Sequence, residues 1–133
     1  MKILLLIFFH VRNYFAVLDK NLPPWFLNLY TSNAMVAFLF MIAFSIYMIL
    51  GMIESDFIIQ VNNQVFLSLF FVCLIVANIV ILIIIKKSKK QMIEMEEIYS
   101  SEIAKTQSVR YGTIICWSVI SFFVIAMFSR VLL

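Results

Sequence analysis

Polar and apolar residues fall in long blocks along this chain, with no two-residue alternation of the kind a half-buried strand requires. Three blocks are almost wholly apolar. Residues 34–53 are interrupted only by Ser45 and the Tyr47 hydroxyl, residues 65–85 by Ser68 and Asn78, and residues 111–130 chiefly by Ser118 and Ser121. About 20 mostly apolar residues cross a bilayer core as a helix. Each block is therefore predicted to be a transmembrane helix, because an isolated segment in lipid can satisfy its backbone only internally. Thr31-Ser32-Asn33 and Asn62-Asn63 precede the first two blocks and suit helix N-caps.

The first 30 residues follow a different pattern. At 100° per residue, Ile3, Leu4, Ile7, Phe8, Val11, Tyr14, Phe15 and Leu18 share a broad face, while Lys2, Arg12, Asn13, Asp19 and Lys20 gather opposite. Leu5 and Phe9 fall on the polar side and blur the division. The stretch is short for a span, and Arg12 interrupts it. It is predicted to be an amphipathic helix lying in the membrane interface, with a partly inserted fourth segment as the alternative. Lys2 and the apolar residues after it look like a signal peptide, but no small-x-small cleavage pattern follows. Pro23-Pro24 ends the helix. Arg12, Trp25 and Tyr30 are expected to anchor this region at headgroup level.

Residues 86–110 are polar yet contain no Gly or Pro. The second span is expected to continue as helix to about Tyr99. Ser100-Ser101 would turn the chain and cap a helix that runs into the third span. This makes a helical hairpin protruding from the membrane. The fold class is thus all-α and polytopic: one membrane domain over 1–133, with three spans, an interfacial N-terminal helix and a helical hairpin extension.

Charge orients this layout. The connection 54–64 carries Glu54 and Asp56 and no Lys or Arg, whereas 86–110 carries Lys86, Lys87, Lys89, Lys90, Lys105 and Arg110. The positive-inside rule puts the N-terminus and 86–110 in the cytoplasm, and 54–64 and the C-terminus outside. A bacterial inner membrane is the expected location. Lys86, Lys87, Lys89 and Lys90 stop transfer, and they can also meet anionic lipid headgroups.

Composition agrees with lipid as the solvent. Apolar residues make up 65% of the chain and charged residues 13%, against about 45–50% and 25% for a soluble domain. The net charge of +3 sits at the membrane ends, so nucleic acid is not an expected partner. Cys73 and Cys116 lie in apolar runs and read as small hydrophobes. His10 has no second ligand at metal spacing, and no nucleophile or Gly-rich loop accompanies it. No cofactor, metal, catalytic residue or small-molecule substrate is predicted.

The candidate site residues are consequently the polar groups at membrane depth. Asn78 needs a hydrogen-bond partner, and Ser118, Ser121 or a neighbouring subunit could supply it. Alternatively, Asn78, Ser68, Ser118 and Ser121 line a lumen. Gly112-x-x-x-Cys116 and Cys73-x-x-x-Ala77 are small-residue spacings that permit close helix approach. No Asp, Glu, Lys, Arg or His lies inside the three cores, Arg130 falling at the very end of the third, which argues against pumps and ion-coupled carriers. The expected function is non-enzymatic. The chain would act through helix–helix contacts, as a homo-oligomer or as an accessory or immunity-type subunit of a membrane complex. The alternative is a homo-oligomeric pore or holin-like effector.

Overall fold

The computed structural model describes residues 2–53 and 63–132, and these form five helices with no strand among them. They are α1 (Lys2–Leu18), α2 (Pro24–Ile53), α3 (Asn63–Lys87), α4 (Lys89–Ile98) and α5 (Glu102–Leu132). Three helices are long and apolar enough to cross a membrane, over Pro24–Gly51, Leu67–Lys87 and Glu102–Leu132. The chain has the form of a multi-pass helical membrane protein. The connection with Glu54 and Asp56, and the proposed cap at Asn62, lie outside the described residues.

Each helix end has a local cause. α1 stops at Leu18, ahead of the two prolines, and Asp19 Oδ1 accepts from Asn21 N at 3.1 Å. Pro24 opens α2, where a missing N–H costs nothing, and the Pro23 carbonyl accepts from Phe26 N and Leu27 N at 3.0 Å each. Residues 31–33 are therefore not a cap, contrary to the sequence expectation. They lie in the second and third turns of α2. The Thr31 hydroxyl turns back to the Leu27 carbonyl at 2.7 Å, which satisfies it inside the helix. At 30 residues, α2 is about 45 Å long, well beyond the roughly 30 Å of a bilayer core.

Helix continuity from α3 towards Tyr99 is interrupted at Ser88, which is buried and belongs to neither helix. α4 then ends at Ile98, and Ser101 opens α5 as expected, its Oγ accepting from Ala104 N at 3.2 Å. The hairpin is not a free projection. Met92 of α4 is buried together with Leu5 and Phe8 of α1, Met35 and Val36 of α2 and Ile81 of α3.

α1 sits at the centre of this end of the bundle. Its most extensive contact is with α5, and it also packs on α2 and α4. Leu5, Phe8, Phe9, His10 and Val11 are all buried. Leu5 and Phe9, which blurred the amphipathic pattern, are thus core residues, because α1 is enclosed from more than one side. α2 and α5 lie together further along, where the Phe44 and Phe123 rings meet with centroids 6.2 Å apart. At the far end, Arg130 Nη1 reaches Met48 Sδ at 2.9 Å. α3 leans chiefly on α2, through Phe40 and Phe70 (centroids 4.6 Å) among others.

Candidate functional site

The densest polar arrangement joins α1 to the first turns of α5. His10 Nδ1 and Ser108 Oγ are 2.8 Å apart, and Asn13 Nδ2 donates to the same oxygen at 2.8 Å. Ser108 is fully buried and His10 is 5% exposed. A hydroxyl carries one proton. With Asn13 donating to the oxygen, that proton is free to go to His10 Nδ1 when the imidazole hydrogen is on Nε2. The ring stands between two tyrosines, edge-on to Tyr99 (5.2 Å, 88°) and tilted to Tyr111 (5.2 Å, 58°).

Small residues make this approach possible. Ser108, Gly112 and Cys116 recur every four residues on α5, and all three are buried. A Cβ built on Gly112 would overlap the His10 carbonyl oxygen. The backbones of α1 and α5 therefore touch here, as small-x-x-x-small spacing permits. The sequence expectation for Gly112-x-x-x-Cys116 is met, with α1 as the partner. In the other pattern, Cys73 is exposed and Ala77 packs at the edge of the core.

Burial pushes the His10 pKa below its ordinary value. Among the described residues no ion pair involves His10, and the ring meets Phe9, Ser108, Tyr99 and Tyr111. The sign follows from linkage. Above about pH 6.5 the imidazole is neutral whether α1 is docked or free. Below it, the free form takes up a proton first, so docking weakens as pH falls towards the folded-state pKa. The thermal midpoint of detergent-purified protein is expected to fall between pH 7 and 5. A His10→Gln variant with an equally steep fall would show that His10 is not responsible.

Arg12, two positions further along α1, reaches α4. Its Nη1 donates to Glu96 Oε1 at 3.3 Å, while Nε is shielded and has no acceptor among the described residues. The Glu96 side chain is 55% exposed, so this pair contributes only about 0–1 kcal/mol. Burying Leu5, Phe8 and Val11 contributes about 1.5–3 kcal/mol each where the alternative is water, so packing dominates the docking of α1. Trp25 is exposed, and Tyr30 packs edge-on against Phe15 of α1 at 4.8 Å. Lys86, Lys87, Lys89 and Lys90 are all exposed around Ser88.

The intramembrane residues divide in two. Asn78 does find a partner, but it is neither Ser118 nor Ser121. Ser32 Oγ donates to Asn78 Oδ1 at 2.8 Å, and Asn78 Nδ2 donates to the Leu74 carbonyl at 3.0 Å. The reason is adjacency, since α3 packs on α2 while Ser118 and Ser121 lie on an exposed face of α5. Ser68 is also exposed. Asn78→Leu is expected to cost about 0.6–2 kcal/mol, the range for interhelical hydrogen bonds in membranes. Steric-trap or thermal unfolding of Asn78→Leu, Ser32→Ala and the double variant measures it. Additive losses would mean that the two residues do not interact.

Sequence reasoning missed Ser108, Asn13 and the pairing of His10. Ser108 completes a four-residue spacing with Gly112 and Cys116, which is the signal that could have found it. Among the described residues there is no cluster of three or more His, Cys, Asp or Glu able to hold a metal ion. Comparison of the chain with protein-family models, curated proteins and solved structures finds no significant match.

Proposed function

We propose that this chain acts without catalysis, through helix–helix contacts in a membrane, as a homo-oligomer or as an accessory or immunity-type subunit. The observation that carries the reading is the lopsided use of α3. It leans chiefly on α2, and Leu69, Val72, Val76, Ile79 and Ile83 remain exposed as one stripe along its length. α1, by contrast, is consumed in holding α2, α4 and α5 together. The outer side of α3 is therefore a surface open to a second helix. The positive-inside rule, applied to lysines 86, 87, 89 and 90, supports a cytoplasmic side for α1 and α4 in a bacterial-type inner membrane, with α1 at the level of the headgroups.

The oligomeric state in lipid nanodiscs, read by native mass spectrometry, tests the reading. It is paired with disulfide cross-linking of Val76→Cys in a Cys73→Ser background. Cross-linked dimers in the membrane support the homo-oligomer, and a monomer that stabilises on addition of a partner supports the accessory form. Ion flux from liposomes should stay at background. Robust flux would overturn the proposal in favour of a pore lined by Ser68, Ser118 and Ser121. For orientation, a cysteine at Lys89 should be reached by impermeant reagents only after the membrane is opened.

A further inference from the structure

We infer that the lysine-bearing end of the bundle holds a site for the phosphate of an anionic phospholipid, built by Arg12, Asn28 and Lys89. The three residues come from α1, α2 and α4 and line one shallow open depression. The rest of its wall is Glu96 and an apolar part, from Ile85 at the end of α3 and Met92 and Ile93 of α4. Lys86 and Lys87 close the span Leu67–Lys87, so the depression lies where that span meets the headgroups.

The unspent donors point to an anion. Arg12 makes one hydrogen bond among the described residues, from Nη1 to Glu96, which leaves other guanidinium N–H donors unused. The half-buried Asn28 carboxamide has no hydrogen-bond partner among the described residues. Lys89 is exposed at the rim, and no carboxylate among the described residues pairs with it. A guanidinium fork, an amide donor and an ammonium together suit phosphate oxygens. Glu96 is the single carboxylate in the lining, and its ion pair with Arg12 makes a cation a poor occupant. The apolar wall favours a lipid over free phosphate, because the glycerol and upper acyl chains cover Ile85 and Ile93. Basic pockets between helices at this depth recognise lipid headgroups.

The inference needs only the membrane placement of the helices, not a protein partner, so it stands or falls separately from the function proposed above. The test is native mass spectrometry of full-length protein released from nanodiscs containing equal phosphatidylglycerol and phosphatidylcholine. One phosphatidylglycerol should remain bound. Arg12→Gln and Lys89→Gln should each lower its retention about tenfold, as loss of a charge-assisted hydrogen bond predicts. Lys89 is exposed, so its variant keeps the fold, and unchanged helicity by circular dichroism verifies this for both. Lys105→Gln makes the same charge change on α5 and should have no effect. An equal loss in Lys105→Gln, or equal retention of phosphatidylcholine, would overturn the site. Displacement of the lipid by millimolar inorganic phosphate would overturn the assignment to a lipid, whereas resistance to it supports the role of the apolar wall.

Discussion

Replacing Gly112 by alanine is expected to prise α1 away from α5 and to be the most disruptive single-methyl change in the protein. Elsewhere in an exposed helix the change would stabilise, since alanine is about 1 kcal/mol better than glycine in a helix interior. Here the added Cβ would overlap the His10 carbonyl oxygen, and it would lie 2.8 Å from Tyr14 Cβ and 2.9 Å from the His10 carbonyl carbon. Two of these three atoms are backbone, so no side-chain rotation relieves the clash and the whole of α1 must shift. Overpacking of this kind costs about 1–3 kcal/mol, and displacement also loosens the bonds made by Ser108. The clash and the loosened Ser108 bonds, the latter worth about 1–3 kcal/mol, together outweigh the propensity gain and leave a net loss of about 2 kcal/mol. Thermal unfolding in detergent reads the loss directly. Alkylation of Cys116, 3% exposed and one turn along the same face, should accelerate in a Cys73→Ser background. A raised melting temperature would mean that propensity wins and that the helices are further apart. The Arg12–Glu96 pair offers the contrast: removing it by Glu96→Gln should change stability by less than about 1 kcal/mol.

The parts of this fold that were legible in the sequence are those that local composition decides. Three apolar blocks of about 20 residues can only be helices in lipid, and their number follows from counting. The helix boundaries were less legible, because rules learned in water misled. Thr31 and Ser32 read as a cap, since polar residues in a soluble helix interior compete with the backbone. In lipid the same hydroxyls are held inside the helix, by the Leu27 carbonyl and by Asn78. The place of α1 was illegible for a related reason. An amphipathic pattern reports two environments, whereas α1 faces α2, α4 and α5 as well as its surroundings. Leu5 and Phe9 looked like blemishes because their burial depends on helices nearly a hundred residues away.

The candidate site shows the same division. Asn78 is visible as a polar group in an apolar block, so its need for a partner follows from solvation alone. Which partner it takes does not follow, because periodicity places residues on faces without saying which helices are neighbours. α3 lies on α2, and so Ser32 answers where Ser118 and Ser121 were the nearer guesses. His10 and Ser108 are harder still. Each looks like an isolated polar residue near a membrane end, and only the contact between α1 and α5 makes them a pair.

Ser108→Ala should come second in severity, for a reason independent of volume. The substitution adds no atom and removes one hydroxyl, so any loss is electrostatic. That hydroxyl accepts from Asn13 and meets His10 Nδ1, each at 2.8 Å. Two polar groups therefore lose their partner together. Leaving a buried donor or acceptor unmade costs about 1–3 kcal/mol. His10 bears most of this, being buried among aromatic rings that cannot replace the bond. Asn13 is only partly buried and can turn towards water. A loss of about 2 kcal/mol is expected. A double-mutant cycle with Asn13→Ala separates the two contributions. If Asn13 aligns the hydroxyl so that its proton points at His10, the coupling should reach about 1 kcal/mol, and Asn13→Ala should also reduce the pH dependence that His10 confers. Zero coupling together with an unchanged pH profile would show that Asn13 and His10 use the serine independently, and that the three residues are not one network.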